Sequence, residues 1–164
     1  MYRPYVLHSA ISFEQDPPEG QDIERRMLAA PRLPWFGAVR DGAVVGYAYA
    51  ARHRERPAYR WSVDVTVYLG PGERGRGTGR ALYETLLAEV TGLGYISAFA
   101  GITLPNAASI ALHEAMGFVP VGVFACAGFK DGSWHDVGWW QRTLSEPPAI
   151  PTEPLPWAQP ESKS

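Results

Sequence analysis

Apolar and polar positions alternate most strictly over residues 62–69. Val63, Val65, Val67 and Leu69 share one face, and Ser62, Asp64, Thr66 and Tyr68 share the other, which predicts a strand with one core face and one polar face. Behind a glycine-rich turn, Leu82, Leu86 and Val90 recur at helical spacing, so residues 77–91 are expected as a helix packed on that sheet. Upstream, "DIERRMLA" reads as a short helix ended by Pro31, and "WFGAVRDGAVVGYAYA" as two strands joined by an Asp41-Gly42 turn. Downstream, "YISAFAGIT" is a buried strand. Asn106 is placed as the N-cap of a further helix and Gly117 as its left-handed residue beyond the C-terminus, with Phe118 packing back on the last turn. A second hairpin, "FVPVGVFACAGF" and "WHDVGWWQRTL", turns at Asp131-Gly132. Trp35, Phe36, Tyr47, Tyr49 and Trp61 read mostly as core, one or two of them walling a cleft. These elements make an α/β chain of the α+β kind, one domain over residues 1–145. The proline-rich stretch 146–164 is an extended tail.

Composition narrows the chemistry. The 164 residues suffice for one core and leave no room for a second domain. The single cysteine, Cys126, excludes an internal disulfide framework and reads as a small strand residue; no Cys/His cluster has metal-ligand spacing, so no metal is expected. No leader pattern and no run of about 18 apolar residues occurs, so the expectations are a cytoplasmic protein and no membrane partner. A net charge of −2 argues against nucleic acid, yet arginines cluster at 52–60 and 74–80. Such local charge suits a small anionic ligand.

Three phosphate-binding patterns compete for "VYLGPGERGRGTGRALYETLL". A Walker loop fails, because Arg80-Ala81 follows Gly79 where lysine and a hydroxyl are needed. A dinucleotide fingerprint is literally present from Gly70 to Gly75, but "YISAFAGIT" offers no acidic residue for a ribose. The third pattern, R-x-x-G-x-G, is formed by Arg74, Gly77 and Gly79 ahead of a helix. Glycines admit close backbone approach, the helix N-terminus offers unpaired N–H groups to a pyrophosphate, and Arg74, Arg76 and Arg80 add charge. The bland alternative is a glycine turn on a solvated helix start.

Alternating strand, R-x-x-G-x-G, helix, buried strand and Asn-capped helix ending in "LHEAMGF" together resemble the GCN5-related N-acetyltransferase (GNAT) family. The segments "HSAISFE", "WSVDVTVYL", "LPNAASIALHEAMGF" and "AGFKDGSWHDVGWWQ" resemble its phosphinothricin N-acetyltransferase group. The resemblance covers residues 2–144. It implies a mixed, mostly antiparallel sheet splayed between the strands at 63–69 and 95–102, flanked by helices, with the pantetheine arm of acetyl-CoA in the splay. Val67, Tyr68 and Leu69 would face the arm, and the turn of Arg74, Gly75, Arg76, Gly77, Thr78, Gly79 and Arg80 would hold the pyrophosphate. Asn106 would serve both as N-cap and as a contact to the cofactor. Against the family's usual start, "MYRPYVLHSAISFE" corresponds to late first helix, which implies that the first strand is missing and the "WFGAVR" edge uncovered.

Acetyl transfer to an amine needs an unprotonated nitrogen and a proton for the leaving thiolate. Asp64 matches the family's acidic base position, where glutamate is usual; the alternative is a carboxylate paired with a nearby arginine. His113 falls where many relatives carry a tyrosine acid, and either protonates the thiolate or hydrogen-bonds in the core. His135 either reaches the cleft rim or pairs with Asp136. Arg56, Tyr59 and Arg60 would hold an acidic substrate, or else belong to a solvated loop. The resemblance also implies a homodimer, with Trp139 and Trp140 near the partner. The reading is an acetyl-CoA-dependent N-acetyltransferase for the α-amino group of a small acidic amino-acid analogue of the phosphinothricin or methionine sulfoximine/sulfone type. The rivals are transfer to another amine and a non-catalytic acyl-CoA-binding paralogue.

Overall fold

Six strands and four α-helices form among residues 1–29 and 31–158, which the computed structural model describes. In chain order they are α1 (Arg3–Leu7), α2 (Gly20–Leu28), β1 (Trp35–Arg40), β2 (Ala43–Arg52), β3 (Ser62–Leu69), α3 (Thr78–Gly92), β4 (Ser97–Thr103), α4 (Ala107–Ala115), β5 (Val119–Lys130) and β6 (Ser133–Thr143). Both hairpins turn where the Asp-Gly pairs stand. Asp41 and Asp131 have φ of 50°, and Gly42 and Gly132 have φ of 76°, the double left-handed geometry whose twist suits a two-residue hairpin. Asn106 caps α4 by accepting from the Ser109 N–H at 3.2 Å, and Gly117 (φ 81°) ends that helix. Phe118 then packs edge-on against the His113 ring at 5.3 Å.

The strands run in the order β1-β2-β3-β4-β6-β5 in one open sheet. Only β3 and β4 are parallel, so the sheet is mixed and mostly antiparallel, as the resemblance implied. The alternation holds: Ala48, Ala50, Val63, Val65, Ala98, Ala100 and Ile102 are buried on one face. There they meet Leu82, Tyr83, Leu86, Leu87 and Val90 of α3.

Part of the aromatic set lies elsewhere than expected. Trp35, Tyr47 and Tyr49 stack on one another, Trp35 over Tyr49 at 4.0 Å. Because strand side chains alternate, they occupy the opposite face from Ala48 and Ala50. With Tyr2, Tyr5 and Tyr68 they form a second layer beneath α1 rather than part of the main core. Trp140 is buried in the main core and its indole N–H donates to Glu114, so it does not face outward toward a partner. The exposed apolar side chains of this region are Val119, Val121, Val123, Phe124, Phe129 and Trp134 of the β5–β6 hairpin.

Two long-range ties hold the chain ends. Lys130 is buried and its ammonium donates to the carbonyls of Val6 and Ser12, both at 2.6 Å, pinning α1 and the loop after it to the hairpin. The segment after β6 is irregular through Ala158 but docked. Trp61 Nε1 donates to Thr152 O, Arg60 pairs with Glu153, and Trp157 is buried against Phe36. The last six tail residues, 159–164, lie outside the described residues.

Candidate active site

Strand pairing positions the site. The Gly70 N–H donates to Val45 O at 2.7 Å, and the register sets Tyr68 opposite Tyr47 and Leu69 opposite Gly46. In an antiparallel ladder the N–H and C=O of one residue point the same way and alternate along the strand. The even-numbered residues of β3 therefore bond to β2, and the backbone groups of Val67 and Leu69 point toward β4. β4 pairs with β3 only over Ser62–Asp64 and Ser97–Phe99. Beyond that the strands part, and a narrow cavity of about 50 Å³ opens between Val65, Thr66, Val67 and Tyr68 on one side and Gly101, Ile102 and Thr103 on the other. Asn106, His113 and Tyr83 also line it. The Leu69 C=O accepts from the Tyr5 hydroxyl at 2.7 Å, which leaves the N–H and C=O of Val67 and the Leu69 N–H facing the gap.

The polar chain above the cavity has a defined proton order. His113 Nδ1 lies 2.7 Å from Ser109 O and Nε2 lies 2.8 Å from the Tyr83 hydroxyl. A carbonyl only accepts, so Nδ1 carries the hydrogen and Nε2 accepts from Tyr83. Burial holds the His113 pKa below its usual value, against a smaller opposing effect of the Ser109 carbonyl, and burial also raises that of Tyr83. Both ring nitrogens are thus engaged in the core. Tyr83 was not singled out in the sequence; its signal is the stripe it shares with Leu86, Leu87 and Val90.

At the far end of the parted strands lies the glycine turn. Gly72, Gly75 and Gly77 have φ of 83°, 74° and 80°, conformations that cost other residues steric strain. Gly77 is the N-cap of α3 and no side chain caps that helix, so its first N–H groups remain available. Arg74 and Arg76 form no ion pair among the described residues, whereas Arg80 pairs with Glu84 at 2.8 Å. The turn is braced from inside by Glu73, which no motif marks. Its carboxylate accepts the Thr78 hydroxyl at 2.6 Å and a two-point contact from Arg40 at 3.2 and 3.1 Å. Thr78 foremost, and then Arg40, hold the Glu73 pKa below the usual glutamate value. Gly79 is also constrained from the core side. A Cβ there would press on Leu112 and Leu69 at 3.2 and 3.3 Å, so its smallness serves the packing of α3, and a bulky replacement would disturb the fold.

The acidic end sits where β3 and β4 last pair. Asp64 accepts from His53 Nδ1–H at 2.6 Å, so its partner is a histidine rather than the arginine considered above. Burial raises the Asp64 pKa, while the His53 hydrogen bond and the nearby charge of Arg54 pull it down. His53 stacks on Phe99 at 4.2 Å, with Tyr59 and Trp139 edge-on at 5.9 and 6.2 Å. The Arg54 guanidinium lies over Trp139 at 5.7 Å. Of the three expected substrate residues, Tyr59 reaches this group. Arg56 and Arg60 instead line a pocket of about 420 Å³ with Arg52 and Arg54, and Arg60 is spent on Pro57 O and Glu153. His135 is not brought here: its Nε2–H donates to Lys130 O at the hairpin end. It stands six residues along β6 from Gln141, the partner of Phe99, which is about 20 Å of strand. Nor does it pair with Asp136, whose carboxylate accepts the Cys126 N–H at 2.8 Å in the irregular stretch of β5. Among the described residues no cluster of three or more His, Cys, Asp or Glu is placed to hold a metal ion, and no helix is long and apolar enough to cross a membrane.

A strand pair that opens toward a glycine turn and an uncapped helix, on a mixed open sheet, defines the class. The chain belongs to the Acetyltransferase (GNAT) family, whose model matches residues 2–118. Within it, the chain is 40% identical over 156 residues to the phosphinothricin N-acetyltransferase of Streptomyces viridochromogenes, covering 92% of this chain and 84% of that protein. It is 31% identical to the L-methionine sulfoximine/L-methionine sulfone acetyltransferase of Salmonella typhimurium, covering 89% and 86%. The structure of a GNAT superfamily phosphinothricin acetyltransferase from Sinorhizobium meliloti in complex with AcCoA superposes with a TM-score of 0.85 at 38% identity, covering 98% of this chain and 88% of that one.

The brace at Glu73 makes a pH-dependent prediction. A carboxylate whose folded pKa is depressed contributes its full stability above its unfolded pKa and loses it as pH falls through the folded value. Glu73→Gln is expected to lower the melting temperature at neutral pH, and the gap from wild type is expected to narrow as thermal melts are taken to acid pH. A gap that is constant with pH would mean that the carboxylate charge plays no part in the turn.

Proposed function

We propose that this chain is an acetyl-CoA-dependent N-acetyltransferase for the α-amino group of a small acidic amino-acid analogue, of the phosphinothricin or methionine sulfoximine/sulfone type. The observation that carries the reading is the unpaired edge of β3, which runs from the half-buried Asp64 carboxylate to the uncapped N-terminus of α3. When bound, acetyl-CoA supplies the acetyl group as a thioester, whose carbon–sulfur bond would be exchanged for a carbon–nitrogen bond, the departing thiolate taking up the proton that the acylated nitrogen sheds. The residues present fit it. Val67 and the Leu69 N–H offer the hydrogen bonds that β4 does not take. The Thr78, Gly79 and Arg80 N–H groups, with the unpaired Arg74 and Arg76, match a pyrophosphate in charge and in donor geometry. The Asn106 amide lines the same cavity.

Asp64 serves as the base. An amino acid is mostly ammonium at neutral pH, and its proton must leave before nitrogen can attack. Burial pushes the carboxyl upward, which improves its strength as a base. His113 anchors the cavity wall rather than donating a proton, since both its nitrogens are committed. Arg54, beside Asp64, is assigned to the acidic group of the substrate, with Arg56 behind it and Tyr59 at the wall. This gathering of arginines opposes a polycationic acceptor such as a polyamine or aminoglycoside. A second copy of the chain is the natural cover for the exposed apolar hairpin side chains, and we assign the interface of a homodimer to it.

The test is thiol release from acetyl-CoA against a panel of amines. Turnover is expected with phosphinothricin and methionine sulfone and not with polyamines; CoA binding without turnover on any amine would make the chain a binding protein. Asp64→Asn is expected to keep acetyl-CoA affinity while kcat falls about 10²- to 10⁴-fold, most severely below the pKa of the amine. An equal loss at every pH would remove Asp64 as the base.

A further inference from the structure

The region that the sequence presents as a basic run, "RHRERPAYR", contributes one side chain that no motif marks. His53 lies two residues beyond Ala51, the register partner of Asp64, and side chains two apart share a sheet face. The two side chains therefore meet as a diagonal pair across β2 and β3. The contact is short, 2.6 Å from Nδ1 to Oδ1, as a charge-assisted bond should be. An ionised carboxylate only accepts, so Nδ1 carries the hydrogen. No other side chain among the described residues bonds to Asp64.

The imidazole is itself clamped. It lies nearly parallel on Phe99 with 17° between the planes, while Trp139 meets it at 82° and Tyr59 at 67°. Its side chain is 10% exposed against 29% for Asp64. The histidine is thus the buried, fixed member and the carboxylate the one that faces outward. The next residue of β3 on the same face is Thr66, and the next of β4 after Phe99 is Gly101, both of which line the cavity. The pair therefore sits at the closed end of the parted strands.

We infer that His53 is the positioning residue of the reaction: its Nδ1–H holds Oδ1 of Asp64, so that Oδ2 is the oxygen presented to the acceptor ammonium. This rests on the acetyltransferase reading above. In the step it serves, an N–H bond of the ammonium breaks, the proton passes to Oδ2 and the electron pair stays on nitrogen as the nucleophile. An aspartate has one methylene less than the glutamate usual in the family and fewer rotamers with which to search. A rigid donor just beyond the end of the neighbouring strand supplies the orientation that side-chain length would otherwise provide.

The titratable and charged groups around the pair are Asp64 itself from β3, Arg54 from the loop after β2 and Tyr59 from the turn that follows; β4 and β6 contribute Phe99 and Trp139, which do not titrate. Two variants separate positioning from packing. His53→Phe keeps the stack on Phe99 and removes the N–H, whereas His53→Asn gives up the stack and keeps an N–H near the place of Nδ1. In the first, kcat/KM is expected to fall about tenfold or more on the acid limb, as loss of one charge-assisted bond implies. That limb should move to higher pH, with acetyl-CoA affinity unchanged. The second is expected to bring the limb back toward wild type. The Asp64 carboxyl, followed by carbon NMR without substrate, should titrate at higher pH in His53→Phe and return in His53→Asn. A His53→Phe enzyme with a wild-type profile and titration, or a His53→Asn enzyme as impaired as His53→Phe, would overturn the inference. A wild-type protein inactive on every amine would instead sink the acetyltransferase reading, and the carboxyl titration would still decide whether His53 controls Asp64.

Discussion

The rest of this structure depends on one broken ladder. β3 and β4 share hydrogen bonds for three residue pairs and then separate, leaving backbone donors and acceptors of Val67 and Leu69 without strand partners. An unpaired buried peptide group costs about 1–3 kcal/mol, so a sheet does not open in this way unless something else holds it open. Here α3 and α4 hold it. The hydrogen-bonded series Tyr83, His113 and Ser109 bridges the two helices over the cavity, and Tyr5 satisfies one of the freed carbonyls from the other side. The wedge is made of polar groups that satisfy one another, which explains why a histidine and a tyrosine sit in the core without ionising.

The two ends of the opening are built for opposite charges. At the glycine turn, Glu73 absorbs Arg40 and the Thr78 hydroxyl into an internal brace, so among the described residues the cations without an ion pair there are Arg74 and Arg76. At the other end a carboxylate is kept partly desolvated and is tied to a histidine instead of an arginine. An arginine paired to Asp64 would hold it as a weak base; here burial still raises the carboxyl while the imidazole N–H orients it. The ends are joined by a strand edge, so a ligand lying along that edge has the arginines and uncapped helix N–H groups at one end and the carboxylate at the other.

What could be read from the sequence divides along the line between local and distant chemistry. Asp41-Gly42, Asp131-Gly132, Asn106 and Gly117 act through their own backbone, and each does in the fold what its residue type requires. The alternation from Ser62 to Leu69 likewise follows from strand geometry alone. The pairing of His53 with Asp64 was illegible because it needs the β2–β3 register, and His53 lay hidden among arginines that looked like one solvated run. The motif marks Gly79 for its backbone, and nothing local reveals that a Cβ there would also press on Leu69 and Leu112. Arg60 looked like a substrate cation because nothing local reveals that Glu153, 93 residues away, comes back to claim it.

The central claim is that the unpaired edge of β3 is completed by acetyl-CoA. Residue-resolved amide hydrogen exchange with and without acetyl-CoA tests it directly. New protection is expected at the Val67 and Leu69 amides together with Thr78, Gly79 and Arg80, with little change along β1 or β5. Saturating acetyl-CoA that leaves Val67 and Leu69 exchanging as before, or that protects a different surface, would contradict it.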